Sequence, residues 1–274
     1  MIRKSFLPFC QASIGQEEIA EVIDCLQSGW LTMGQKVLSF EADFAKYVGV
    51  KHALSVNSCT AALQLALLAH GIGPGDEVLV PSFTFVSTVN VILHVGATPV
   101  FVDIQQSTLN LDPKDLESKV TSKSKAVIAV HYAGLPADLD SIKKISQENK
   151  LIVIEDAAHA VGSKYDSKYI GASGNTTCFS FYATKTITTG EGGMLTTNDD
   201  TIADFVMRNR LHGISKDAWK RYLKNGKWRY DVVEPGLKCN MTDLQASLGI
   251  HQLKKLSGFI SRRKEIVLQY NKGF

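Results

Sequence analysis

From residue 54 the sequence repeats one pattern: a short apolar run, a turn, an amphipathic or apolar helix, and another short apolar run. Apolar runs that lack polar alternation suit strands buried on both faces, and helices between them suit crossovers of a mainly parallel sheet. The runs at Ala53–Val56, Glu77–Val80, Pro99–Val102, Ala126–Val130 and Leu151–Glu155 predict strands. Ala61–Leu68 (closed by Gly71), Thr84–His94, Pro113–Val120 and Leu139–Asn149 predict the helices between them. Cys178–Phe181 and Met194–Thr197 predict two further strands across a glycine-rich turn. The expected fold class is therefore α/β, with a seven-stranded sheet.

The flanks are helical. Ser13 and Gln16 have capping-box spacing ahead of Ile14, Ile19, Val22, Ile23 and Leu26, and Gly29 ends that helix. A second amphipathic stretch covers Val37–Tyr47. Near the other end, Thr242 and Gln245 repeat the capping box and open a helix carrying Leu244, Leu248, His251 and Leu256. Gly258 is expected to interrupt it, with a separate segment from Ile260 to Tyr270.

Composition excludes several classes. A net charge of +3 on 274 residues is too small to argue for nucleic acid or an anionic membrane. Basic residues do gather between Lys216 and Lys238, where they could serve a phosphate-bearing substrate, and at Arg262–Lys264, which reads as a solvated face. The cysteines at 10, 25, 59, 178 and 239 show no CxxC spacing, so neither a zinc site nor a redox pair is expected, and a reducing cytoplasm suits them. No run reaches the roughly 20 apolar residues of a membrane span.

Four segments could carry chemistry. Gly71–Gly75 has dinucleotide-loop glycines but follows a helix and precedes a strand, the reverse of what such a loop needs, so it reads as a helix cap and turn. Asn57–Leu63 places Ser58, Cys59 and Thr60 at a helix start, whose free amides can hold a phosphate or merely need a cap. Ile154–His159 puts acids at the C-terminal end of a parallel strand, the usual place for ligands in open sheets. Ser180-Phe-Tyr-Ala-Thr-Lys185 precedes Gly190, Gly192 and Gly193, so Lys185 leaves a strand into a constrained turn. Pyridoxal phosphate (PLP) needs an amine for its Schiff base, an acid beside its ring nitrogen, and donors for its phosphate. Lys185, Asp156, and the Ser58–Thr60 helix start with Ser180 answer these needs, and Phe85 is a candidate to cover the ring.

Taken together, these segments resemble the DegT/DnrJ/EryC1/StrS family of PLP-dependent sugar aminotransferases. Gly73–Val78, Pro81–Phe85, Gly96–Asp103, Glu155–His159, Ser180–Lys185 and Glu191–Gly193 carry the likeness. His131–Asp140, Leu211–Trp219 and Gly236–Gln245 are most similar to the UDP-4-amino-4-deoxy-L-arabinose aminotransferase branch. The resemblance implies the fold of aspartate aminotransferase and a transfer of the amino group of L-glutamate to a nucleotide-linked 4-keto sugar, serving cell-surface polysaccharide or lipopolysaccharide synthesis. It implies that Lys185 holds the cofactor and shuttles the proton, that Asp156 pairs with the ring nitrogen, and that His159 lies near the phenolic oxygen. Phe85 would stack on the ring, and Cys59, Thr60 and Ser180 would hold the phosphate. Asn240 would reach the phosphate in the neighbouring subunit, making the active unit a homodimer. It also implies a PLP-binding large domain over 1–250 and, over 251–274, the opening of a small domain that is mostly absent. Two alternatives stay open: a non-catalytic PLP-binding or regulatory homologue, and a sugar dehydratase, which Lys185 argues against because such relatives carry histidine there.

Overall fold

The apolar runs do become strands, and alternate residues along them serve different helices. The computed structural model of the chain describes residues 5–215 and 231–274. The strands are β1 (His52–Val56), β2 (Glu77–Pro81), β3 (Thr98–Val102), β4 (Ser124–Val130) and β5 (Ile152–Asp156), then a small ribbon β6 (Lys164–Tyr165) and β7 (Lys168–Tyr169), and finally β8 (Thr176–Ser180) and β9 (Gly193–Thr197). Seven of them form one sheet in the order β1-β9-β8-β5-β4-β2-β3. From β8 to β3 all neighbours are parallel, and β9 alone runs against both of its partners.

The helices are α1 (Gln16–Ser28), α2 (Gln35–Val48), α3 (Cys59–Ala69), α4 (Val86–His94), α5 (Pro113–Lys119), α6 (Leu139–Asn149), α7 (Asp200–Asn209) and α8 (Asp243–Gly273). Val78, Val80, Ala126, Ile128, Cys178 and Leu195 point to one face, where they pack with α3, α4 and α7. Their neighbours Leu79, Val127 and Ala129 point to the other, towards α5 and α6, and Phe179 and Met194 meet α2 and α8 there. This is the period of two of a strand, with apolar layers on both sides. Helix α3 is apolar nearly all round because it is nearly all buried, from Cys59 to Leu67. Phe40 and Phe44 of α2 interlock with Phe179 and Phe181 at centroid distances of 5.2–5.5 Å.

Three expectations need correction. Helix α1 begins at Gln16 with Gly15 as its cap, not Ser13. The Glu18 carboxylate accepts the Gly15 N–H at 2.8 Å, and Ser13 contributes only its carbonyl, which accepts from Gln252 at 2.8 Å. A buried acid that also meets Lys255 and Gln252 of α8 outcompetes a short hydroxyl. As a result α1 lies on α8 through Glu18 and Cys25, and its apolar stripe of Ile19, Ile23 and Leu26 stays exposed.

The capping box at Thr242 and Gln245 forms as expected, but the buried face of α8 is Ala246, Ile250, Leu253 and Leu256 rather than Leu244 and Leu248. Nor does Gly258 break the helix, which continues to Gly273. One glycine costs a helix only about 1 kcal/mol, which the good helix formers on either side outweigh. A Cβ at Gly258 would meet nothing within 4 Å. Gly258→Ala is therefore expected to stabilise the chain by about 0.5–1 kcal/mol, read as a higher urea midpoint at unchanged slope.

Candidate active site

The C-terminal ends of β5 and β8, the start of α3 and the start of α4 converge on one place. Asp156 closes β5 and is 5% exposed. Its Oδ2 accepts from the Thr88 hydroxyl at 2.8 Å and its Oδ1 from the Ala158 amide at 3.1 Å, with the Cys59 thiol at 4.0 Å. A carboxylate has about four acceptor positions, so this one keeps capacity for a further donor. Strand alternation turns the neighbouring Glu155 elsewhere, into a buried cluster with His131, Ser173 and Asn175. The two acids of the motif thus separate, and Asp156 is the one that faces Lys185.

Lys185 stands in the turn after β8. The turn is pinned by Phe181 to Gly192, by Thr189 to Phe181 and by the Lys185 amide to Tyr182, each at 2.9 Å. Its glycines have separate reasons. Gly190 takes a left-handed φ of 81°. A Cβ on Gly193 would fall 2.5 Å from the carbonyl carbon of Ser58, so only glycine lets β9 pass under the start of α3. Burial pulls the Lys185 amine below its ordinary value, against the opposing pull of Cys59 and Asp156. Burial also pushes the Cys59 thiol well up, so it is protonated at neutral pH and Asp156 is what supplies negative charge to Lys185. His159 is held down first by burial and then by Lys185, with Asp156 opposing, which makes it a neutral imidazole at neutral pH.

The helix start is built as the motif suggested. Ser58 caps α3 through its hydroxyl, which accepts the Ala61 amide at 3.1 Å. The amides of Cys59 and Thr60 belong to the first turn, where no i−4 carbonyl exists to receive them, and the helix dipole adds positive potential there. Ser180 ends β8, buried, and its hydroxyl accepts the Tyr182 amide at 3.3 Å. Phe85 caps α4 with its side chain 74% exposed, one turn before Thr88. Phe83, Tyr132 and His159 extend an aromatic rim, with centroids 5.0 and 6.3 Å apart.

Asn240 is placed differently. Its backbone bridges to Val56, and the adjoining Cys239 carbonyl accepts from Asn57 beside the α3 start. Its side chain is held by Lys238 and lines a cavity of about 760 Å³ with Trp30, Glu41 and Arg210, a set that does not include Lys185. Within one chain, then, it does not join the other candidates. Most of the Lys216–Lys238 basic group and the end of the Leu211–Trp219 segment lie outside the described residues. Gly71–Gly75 is the expected cap and turn, with φ of 70° and 92° at its ends. Among the described residues no group of three or more His, Cys, Asp or Glu could hold a metal ion, and no helix is long and apolar enough to cross a membrane. Thr88 was not a sequence candidate. Its signal was its place one turn after Phe85 on the same helix.

An open first turn, a buried acid with spare acceptor capacity, a half-buried amine and an exposed aromatic face fit a phosphorylated pyridine aldehyde. With its mainly parallel seven-stranded sheet covered on both faces, the chain has the fold of the PLP type I aminotransferases. The sequence pattern of the DegT/DnrJ/EryC1/StrS aminotransferase family matches residues 12–274, and the chain belongs to that family. It is 56% identical over 272 residues to the spore coat polysaccharide biosynthesis protein SpsC of Bacillus subtilis, covering 99% of this chain and 70% of that protein. The putative sugar aminotransferase Spr1654 of Streptococcus pneumoniae, in its PMP form, superposes with a TM-score of 0.93 at 39% identity, covering 98% of this chain and 72% of that one. PseC of Helicobacter pylori, an aminotransferase of pseudoaminic acid biosynthesis, superposes at 0.88 and 32% identity, covering 97% and 70%.

Two outcomes follow from this geometry. Thr88→Val removes the hydroxyl donor of a buried carboxylate and is expected to cost about 1.5–3 kcal/mol in urea unfolding. Lys185→Met removes an amine whose folded value lies below its unfolded one. That difference penalises the folded parent whenever the amine is protonated. The variant's stability advantage should be largest below the depressed folded value and should shrink as pH rises through the interval between that value and the ordinary lysine value near ~10.4. Parallel unfolding curves of the two proteins across that range read it directly.

Proposed function

We propose that the chain is the cofactor-binding part of a homodimeric PLP-dependent aminotransferase that takes an amino group from L-glutamate and gives it to a nucleotide-linked 4-keto sugar in cell-surface polysaccharide synthesis. The observation that carries the reading is the meeting of Lys185, Asp156 and the open first turn of α3 at the C-terminal ends of the central strands β5 and β8. The family supports amino-group transfer, and the name of SpsC, a spore coat polysaccharide biosynthesis protein, supports a sugar destined for the cell surface. The domain reading is part of the same proposal: residues 1–250 bind the cofactor, and 251–274, the later part of α8, open a second unit.

When bound, PLP supplies an electron sink for the pair released as the C–H bond beside the amine breaks. The residues of this chain do the rest. Ser58, Cys59, Thr60 and Ser180 hold the phosphate, with Asn240 reaching the phosphate in the partner subunit's site. Asp156 keeps the ring nitrogen protonated, which gives the sink its strength. Phe85 would cover the ring face, and His159 would donate to the phenolic oxygen. Lys185 is the amine that would hold the cofactor. Burial lowers that amine's basicity, in the direction of the neutral form that can lift the proton from the donor α-carbon and deliver it to the cofactor carbon on the far side of the nitrogen. A proton is moved in the opposite sense for the keto sugar, and binding of the remote nucleotide orients the reacting carbonyl.

Incubating the purified chain with PLP is expected to produce a visible absorption band that borohydride fixes on Lys185, located by peptide mapping. L-Glutamate should bleach the band and a 4-keto sugar nucleotide restore it. Lys185→Ala should lose the fixed adduct and slow any residual glutamate half-reaction by about 10²–10⁴-fold. Absence of the band would overturn the proposal; a band that glutamate never converts would favour a non-catalytic binding protein.

A further inference from the structure

His159 lies against the 131–137 loop, whose geometry is unusual and heavily restrained. Ala133 takes a left-handed φ of 52°, and Gly134 follows at 86°. A non-glycine residue in that region costs about 1–2 kcal/mol, so something must hold it there. Asn110, 3% exposed, does so from the segment before α5. Its Nδ2 donates to the carbonyls of Leu135 at 3.0 Å and Pro136 at 3.1 Å, and its Oδ1 accepts the Tyr132 amide at 2.9 Å. With two carbonyls on one side and an amide on the other, the carboxamide has a single workable orientation.

The strained turn has two products. The Ala133 amide donates to Nδ1 of His159 at 3.3 Å. At the far end of the loop, the Ala137 amide donates to Nδ1 of His131 at 3.0 Å, whose Nε2 meets Glu155 at 2.9 Å. A ring nitrogen that accepts an N–H carries no proton, so in each imidazole the proton sits on Nε2. His131 spends its Nε2–H on Glu155, and burial pushes that acid up less than His131, Ser173 and Asn175 together hold it down. His159 has no such partner among the hydrogen bonds of the described residues.

We propose that Asn110 is a positioning residue which, through the Ala133 amide, locks His159 in the Nε2–H tautomer and so makes it a fixed neutral donor towards the cofactor site. The consequence for the cofactor rests on the function proposed above; the tautomer does not. Protonating Nδ1 would require the Ala133 amide to leave its acceptor against the hold of Asn110. The charged groups facing His159 are Lys185 and Asp156, with the Tyr132 ring packed edge-on, and burial with Lys185 prevails over Asp156 in keeping the imidazole neutral.

The test is nuclear magnetic resonance of the full chain without cofactor, labelled with ¹⁵N. Long-range ¹H–¹⁵N correlations report the tautomer of each histidine, assigned through His159→Gln and His131→Gln. His159 is expected to show a protonated Nε2 and a bare Nδ1 at neutral pH, and the Ala133 amide signal should move in step as His159 titrates in acid. Asn110→Ala should shift the tautomer ratio of His159 by roughly 3- to 10-fold towards Nδ1–H and uncouple Ala133 from it. Asn110→Asp, which keeps an acceptor for Tyr132 but gives up the donors to Leu135 and Pro136, should do so in part. An Nδ1–H tautomer or an imidazolium in the parent at neutral pH overturns the proposal, as does a folded Asn110→Ala with unchanged ratio and coupling. If neither variant folds, the Ala133 response in the parent decides. A chain that shows the locked tautomer yet takes up no PLP would keep this inference and sink the cofactor reading.

Discussion

A carboxylate at the end of a central strand organises this molecule. Burying a charge is costly unless its acceptor positions are met, and Asp156 is hydrogen-bonded on both oxygens. Thr88 reaches it from α4, the Ala158 amide from its own turn, the Cys59 thiol from α3, and the Lys185 charge from the β8–β9 turn. Each of these elements is fixed by apolar packing on one or other face of the sheet, so the sheet positions the acid and the acid selects what faces it. Its neighbour Glu155 shows the alternative. Turned to the other side by the strand pleat, it is fully enclosed by His131, Ser173 and Asn175 and has nothing to offer a ligand.

The sheet was legible because buried parallel strands and their crossovers leave a local signature in hydrophobicity and turn residues. Glu77–Pro81 and Leu139–Asn149 fall where the pattern places them. Lys185, Asp156 and Ser58 were legible because strand ends and helix starts are the places where open sheets present chemistry. What the pattern missed was set by distant partners. Glu18 displaced Ser13 as the cap of α1 because Lys255 and Gln252, far along the chain, rewarded it. Thr88 and Asn110 look like ordinary polar residues until the fold brings them to Asp156 and to the 131–137 loop. Glycine was read unevenly. Gly190 and Gly193 mark constraints a reader of sequence can suspect, whereas Gly258 marks none, since it sits in an open, continuous helix.

The family relationship adds meaning to these placements without replacing them. Membership says what class of reaction a site of this shape serves. The geometry says why a change of one atom at Thr88 or Gly193 would be felt there, since one donates to the central acid and the other leaves room for the backbone beneath the first turn of α3.

The start of α8 also fixes a second helix. Asp243, its first residue, accepts the amides of Gly34 at 2.8 Å, Val37 at 3.0 Å and Lys36 at 3.3 Å, and so caps α2 from the other end of the sequence. Burial raises this carboxyl and those three amides pull against the rise. The helix is buried as far as Leu256 and then runs on with mostly exposed side chains. A rod of 31 residues, about 46 Å long, is thus held along its buried part, to which Phe259 and Ile260 add, and a tilt of about 5° about its Asp243 end would move Gly273 by about 4 Å. Such a lever turns a small adjustment at the junction of α2 and α8 into a displacement the size of a side chain.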